Sequence, residues 1–244
     1  MTATAPLRLC IIENGVVPEN LQPRFISYPQ MIINWLHPAL PEAEFNVVSA
    51  CTGEALPPAH EFAGFILTGS KHSVYERSAW MRAEIGLLQQ ARELRRPVFG
   101  ICFGHQLMAD AYGGKTLKAE QGWGVGAQHY DNRAGAPSSG ASFIFHQDQV
   151  LQLPDEARCI GGSSHCQNGV LAYEFPALSV QYHPEFTEDY IRCLAEQFGG
   201  NLLPQNVADQ ALLSLEQLAV DNSRVAQWAA EFFRTYAPRE LGLS

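Results

Sequence analysis

The chain contains no Cys-x-x-Cys pair, no basic run longer than Arg95-Arg96, and no apolar stretch approaching the ~18 residues that a membrane-spanning helix needs. Each absence removes a class of function. The six cysteines fall at positions 10, 51, 102, 159, 166 and 193, an irregular spacing that argues against a disulfide framework or a zinc site. Most of them read as buried thiols in a reducing cytoplasm, and no metal is expected. Positive charge is sparse and the net charge is −9 at pH 7, so neither nucleic acid nor an anionic membrane is an expected partner. The opening MTATAPLRLCIIENG lacks a basic segment followed by a long apolar one, so no signal peptide is expected. No internal repeat or low-complexity segment is visible.

What is present reads as one globular domain with an extension: 244 residues, 46% hydrophobic and 17% charged. In the first half, short apolar runs alternate with helical patterns. Leu7 to Ile12, Glu44 to Val48, Gly64 to Leu67 and Val98 to Ile101 read as buried strands. Residues 27–38, 80–95 and 104–112 read as helices, the last closed by Gly113-Gly114. Strands apolar on both faces predict a parallel sheet covered by helices. From 115 to 183 the rhythm changes to short extended pieces between turns (123–130, 142–146, 157–161, 169–174 and 178–182), some extending the main sheet. Helical patterns follow at 187–198, 205–220 and 222–236.

Gly100-Ile101-Cys102-Phe103-Gly104 joins the fourth strand to a helix with the spacing of a nucleophile elbow. Small neighbours let chain segments approach at a sharp turn, and the turn pushes the side chain out at the carboxyl end of the sheet. A helix N-terminus there favours thiolate and offers N–H groups to an oxyanion. A cysteine nucleophile needs a base, and the chain has eight histidines. His105, three residues after Cys102, is expected to point away and support the helix. His183 follows a strand, and Pro184 biases it toward extended geometry. Period-two alternation then sets Glu185 on the same side, where a carboxylate orients an imidazole.

Gly100-Ile101-Cys102-Phe103-Gly104-His105-Gln106, followed by Gln181-Tyr182-His183-Pro184-Glu185, resembles the class I (triad) glutamine amidotransferases, and within them the stand-alone GMP-synthase-like and γ-glutamyl peptidase-like group. The resemblance runs from the first strand to about residue 197. It implies an α/β fold, a flavodoxin-like three-layer sandwich with an added small β region and a C-terminal helical extension. Residues 1–198 would form the amidotransferase-like domain and 199–244 the helical extension packed on it. The implied chemistry is attack of Cys102 on a glutamine side-chain amide. His183 would move the proton, Glu185 would hold His183, and a γ-glutamyl thioester would be hydrolysed by water without a cofactor. By the same resemblance the backbone N–H groups of Phe103 and Ser70 are the oxyanion donors, and Gly69, Gln106 and Gln147 contact substrate. Two segments depart from the family pattern: Thr68-Gly69-Ser70-Lys71 stands for Ser-Gly-Gly-Pro, and Phe145-His146-Gln147-Asp148 for Ser-His-Gly-Asp.

Three functional readings follow: a stand-alone hydrolase of glutamine or a γ-glutamyl compound, a glutaminase subunit feeding ammonia to a separate synthase chain, or a catalytically silent binding homologue. The intact Cys102, His183 and Glu185 favour the enzymes. A cysteine α/β-hydrolase is disfavoured because its acid precedes the histidine in the chain. Ala109 to Thr116 fails as a phosphate loop, because its Lys115-Thr116 follows a helix rather than opening one. Gly122-Trp123-Gly124 reads as a turn, and His165-Cys166 as a loop. Trp80, Trp123, Trp228 and Phe232 are expected in the core, and Ser73 to Glu76 either at the substrate mouth or on a surface turn.

Overall fold

The computed structural model describes residues 6–238. The reading of residues 1–5 as free of a leader, and the last six residues of the 199–244 extension, lie outside the described residues.

The first half comprises β1 (Leu7–Ile12), the single turn α1 (Gln22–Phe25), α2 (Tyr28–Leu36), β2 (Ala43–Val48), β3 (Gly64–Leu67), α3 (Ala79–Glu93), β4 (Val98–Ile101) and α4 (Phe103–Ala111). The second comprises β5 (Lys115–Lys118), β6 (Gly124–Asn132), β7 (Gly140–His146), β8 (Asp148–Gln152), β9 (Ala157–Gly162), β10 (Val170–Tyr173), β11 (Ala177–Val180), α5 (Glu188–Phe198), α6 (Gln205–Gln217) and α7 (Ser223–Tyr236).

Local chemistry sets several boundaries. The Ser27 hydroxyl accepts the Gln30 N–H at 3.2 Å and caps α2, with Pro29 in the first turn. Arg95 at φ +50° and Pro97 close α3 before β4. Gly113, at φ +98°, ends α4 where a side chain would be strained.

One nine-stranded sheet runs β2-β1-β3-β4-β11-β10-β9-β6-β7. The first five strands are parallel and have the strand order of flavodoxin-like sheets; the pairings from β11 to β7 are antiparallel. The fold is therefore the α/β sandwich with an added β region that the sequence pattern implies. Alternation along β1 explains the layers. Leu9 and Ile11 face a core shared with α2 and α7, whereas Cys10 and Ile12 face one shared with α3 and α4. Helix α7 thus builds the sheet's own helix layer, through Val225, Ala226, Ala229, Ala230 and Phe233. Arg234 ties it to Glu42 and to the Ala39 carbonyl beyond α2. Helix α6 packs instead on β6 and α5.

Two strands escape the sequence pattern: β5 and β8 pair in a separate antiparallel ribbon. Only Thr116 in β5, and Gln149 with Val150 in β8, are fully buried, too few inward positions to leave a legible period.

Candidate active site

Cys102 stands between β4 and α4 at φ +50°, ψ −101°, a region that a non-glycine residue rarely occupies. The flanking glycines explain how the turn closes. A Cβ on Gly100 would lie 2.8 Å from the Gly104 backbone, and one on Gly104 would lie 2.7 Å from the Leu67 carbonyl oxygen. Both contacts are too close for any side chain, so β3, β4 and α4 meet only because these positions are bare. Phe103 is the first residue of α4, so its N–H has no acceptor within the helix. Its ring is buried against Trp80, with centroids 5.5 Å apart.

Three histidines are fully buried near this turn: His105, His146 and His183. His105 points away, its Nδ1 2.8 Å from the Ser179 hydroxyl, and burial pushes its pKa down to about 3. Burial, aided by His165 and His183, does the same to His146. Both are neutral near pH 7. His183 differs because it has a carboxylate partner: Nδ1 lies 2.8 Å from Glu185 Oε1, and both side chains are nearly sealed from solvent. Burial opposes the imidazolium here too. The neighbouring Glu185 and Cys102 outweigh it and raise His183 to about 10. The ring is clamped as well. It stacks on Phe186 at 3.9 Å with a 5° interplanar angle, and its backbone N–H donates to the Phe143 carbonyl at 2.8 Å.

The structure corrects how this pair forms. β11 ends at Val180; residues 181–182 form a bend and 184–185 a turn, so the strand does not continue through the pair. Pro184 has no N–H to donate to a ladder. The chain turns at once, with the Phe186 N–H 3.4 Å from the His183 carbonyl, and this turn brings the carboxylate to the ring.

Gly69 lies between the two halves of the site. A Cβ placed there would be 2.7 Å from His183 Cε1 and 3.7 Å from Cys102 Cβ. Behind it, the Asn14 N–H donates to Thr68 Oγ1 at 2.8 Å, and Asn14 Nδ2 donates to Glu84 Oε1 at 3.0 Å. Glu84 is fully buried, and burial pushes its pKa up to about 8 against the lowering effect of the Asn14 hydrogen bond. The folded state therefore holds a proton on Glu84 that the unfolded chain releases above its ordinary value of 4.5. Stability contributed in this way is complete below about pH 4.5 and falls as pH rises towards 8, by on the order of 5 kcal/mol. His183 loses stability only above its ordinary 6.5, and between 4.5 and 6.5 the buried neutral His105 and His146 act with the opposite sign to Glu84, so the Glu84 contribution is read as the difference between wild type and a Glu84 variant. Glu84→Gln removes the contribution that falls with pH, so the slope of denaturant midpoint against pH is expected to become more positive than in wild type in that interval. An unchanged slope would show that Glu84 is ionised in the fold.

A cavity of about 930 Å³ opens above these residues. Cys102, His183, Ser70, Gln106 and Gln147 all line it. Five of the sequence-derived site residues thus share one cavity, with Glu185 behind His183, Gly69 against the ring and Phe103 following Cys102. Lys71 and Ser73 also reach the cavity, whereas Tyr75 lies on the surface and donates to Asp148 Oδ1 at 3.3 Å. Trp123 lines the cavity instead of filling the core.

Two polar residues belong to the quoted motifs but were given no role of their own by sequence. Gln181 Nε2 lies 3.6 Å from Cys102 Sγ, and its Oε1 accepts from Gln106 Nε2 at 3.1 Å. Its position two before His183 was the available signal. Asp148 accepts from the Ser73 hydroxyl at 2.6 Å, and its backbone carbonyl accepts from Gln106 Nε2 at 2.8 Å. It joins segments 75 residues apart, which no local pattern records. Among the described residues no cluster of three His, Cys, Asp or Glu side chains is placed to hold a metal ion.

The model of the "Glutamine amidotransferase class-I" family matches residues 27–205, which include Cys102, His183 and Glu185. The chain belongs to this family. A relative in Arabidopsis thaliana, gamma-glutamyl peptidase 4, is 27% identical over 174 residues, 66% of this chain and 69% of that protein. A glutamine-hydrolyzing GMP synthase subunit of Methanopyrus kandleri is 35% identical over 106 residues, 38% of this chain and 54% of that protein. Among solved structures, a glutamine amidotransferase from Methylobacillus flagellatus superposes with a TM-score of 0.73 at 17% identity, over 98% of this chain and 97% of that one. One from Thermotoga maritima gives 0.71 at 18% identity, over 93% and 98%. At these identities the superpositions speak for the fold of this amidotransferase alone.

Proposed function

We propose that this chain hydrolyses the γ-amide of glutamine or of a γ-glutamyl compound through Cys102, His183 and Glu185. The observation that carries this reading is a strained, glycine-flanked thiol sharing a cavity with the one buried histidine that has a carboxylate partner. The likeness to a γ-glutamyl peptidase and to a glutamine-hydrolyzing synthase subunit supports the same bond as target.

In this mechanism the Cys102 thiolate attacks the amide carbon while His183 holds the thiol proton. The carbonyl oxygen becomes an oxyanion facing the N–H groups of Phe103 and Ser70. The C–N bond then breaks, the leaving nitrogen takes the proton from His183, and a γ-glutamyl thioester remains on Cys102. Water, deprotonated by His183, attacks the thioester. The C–S bond breaks, glutamate leaves, and the proton returns to the thiolate and imidazole pair. Gln106 and Gln147 hold the glutamyl end. Because Gln106 Nε2 is bonded to Asp148 and Gln181, its Oε1 is the atom left for substrate. Six free thiols support a reducing compartment, the cytoplasm, as the place of action. Residues 199–238 belong in this reading to the same domain, since α7 completes its core.

The test is release of ammonia or amine from glutamine and γ-glutamyl amides, with intact-mass detection of a γ-glutamyl adduct on acid-quenched enzyme. Turnover and adduct are expected in wild type and absent in Cys102→Ala. Equal release by both proteins from every donor overturns the reading. Glutaminase activity that emerges only with a synthase chain present would make this a synthase's glutaminase subunit.

Gly69→Ala isolates the packing of the site from its chemistry. The new methyl pushes on a ring already fixed by Phe186 and Glu185, so kcat is expected to fall about 100-fold while thermal stability changes little. Steady-state kinetics with a melting curve checks this, and wild-type kcat would show that the ring yields freely.

A further inference from the structure

The cavity is large for its nearest task. At about 930 Å³ it sits at the upper end of small-molecule sites, far larger than free glutamine requires. Its polarity is also divided. Gln106, Gln147 and Asp148 gather on one side. On the side of His183, the wall is mainly the apolar cluster of Val17, Tyr28, Phe145, Phe186, Leu194 and Phe198; the amides that line the cavity from the same segments are already paired, Asn20 with Gln197 at 2.9 Å and Gln22 with the Val17 carbonyl at 3.0 Å. The packing of that wall is continuous: Phe186 carries the His183 ring, and Phe145 meets both Trp123 (5.5 Å) and Phe198 (6.1 Å). Two large aliphatic side chains stay exposed where they line the same cavity, Val16 at 45% and Leu202 at 51%.

The direction of the reaction connects these facts. The leaving nitrogen must lie within reach of the group that protonates it. Under the proposed function that group is His183, so whatever the nitrogen carries projects along the apolar wall. Ammonia would leave this wall empty and wet. An apolar substituent would cover its aromatic and aliphatic surface and displace water from it.

We infer that the amine half of the substrate is bulky and apolar: this site takes γ-glutamyl amides of aromatic or branched aliphatic amines or amino acids in preference to glutamine. This rests on the proposed hydrolysis, and the two are separable by experiment. Wild type is assayed with glutamine, γ-glutamylglycine, γ-glutamylphenylalanine and γ-glutamylanilide, the last two distinguishing an amino acid from a simple amine. At least one of the two aromatic donors is expected to exceed glutamine and γ-glutamylglycine in kcat/KM by tenfold or more, as about one buried ring allows. Leu202→Asp, a change at an exposed position that the fold tolerates, is expected to reduce that ratio severalfold. Calorimetric binding of the same compounds to Cys102→Ala reads the subsite without chemistry, and the same order is expected. If wild type hydrolyses all four donors without favouring the aromatic ones, the inference is overturned and the proposed function stands. If Cys102→Ala binds the aromatic amides best but wild type cleaves nothing, the subsite stands and the proposed function falls.

Discussion

Replacing Cys102 with alanine is expected to reduce hydrolysis of any accepted γ-glutamyl amide by about 10⁴-fold or more, and replacing His183 with alanine to do nearly the same. The informative result is the double replacement. If the thiol and the imidazole act as one ion pair, removing either destroys the nucleophile, so losing both costs little more than losing one. Independent roles would multiply the two losses. The structure favours a single unit: both side chains line one cavity, and Cys102 is among the neighbours that raise His183. The measurement is kcat/KM for the two single variants and the double variant on one donor, with circular dichroism to show that each folds. Multiplicative losses would sink the shared mechanism.

Glu185→Gln carries the second large effect. The amide keeps the size of the carboxylate but removes its charge, and its NH₂ group can face Nδ1 and select the wrong tautomer. A loss of about 10³-fold or more in kcat is expected. The pH profile should move as well. Burial by itself lowers the His183 pKa, and Glu185 is the largest of the influences that raise it to about 10. Without that charge the imidazolium deprotonates at lower pH, so the alkaline limb of kcat/KM is expected to shift toward neutrality. The thermodynamic sign agrees. A histidine raised in the fold contributes stability that is present below its ordinary 6.5 and is lost as pH climbs through about 10. Glu185→Gln should therefore remove stability most below about pH 6.5, less as pH rises, and little above pH 10. An unchanged alkaline limb would show that Glu185 does not set the state of His183.

Much of the fold was legible because its signals are local. The parallel strands are short and apolar on both faces, and alternation along β1 already divides two cores. The elbow was legible because sterics demand bare positions at 100 and 104, and the contacts at those glycines show why. The β5 and β8 ribbon left no period to read. Helix α7 was recognisable as a helix, but its place beside α2 depends on partners about 190 residues away, such as Glu42 for Arg234. Trp123 was assigned to the core by its chemistry alone, yet it stands at the cavity because β6 begins there.

The sequence by itself determined the candidate reacting groups: a thiol on a glycine-flanked turn, and an imidazole with a carboxylate two residues beyond it. Those are properties of short segments, fixed by backbone sterics and spacing. Only the tertiary structure decided which histidine is charged, since His105, His146 and His183 are equally buried and differ in the groups that face them. It alone decided the shape of what the thiol meets. That cavity is walled by side chains from the loop after β1, from α2, β7 and α5, and from the segment before α6. Its volume and its apolar side arise where those elements converge, through contacts between residues distant along the chain, and no single segment carries them.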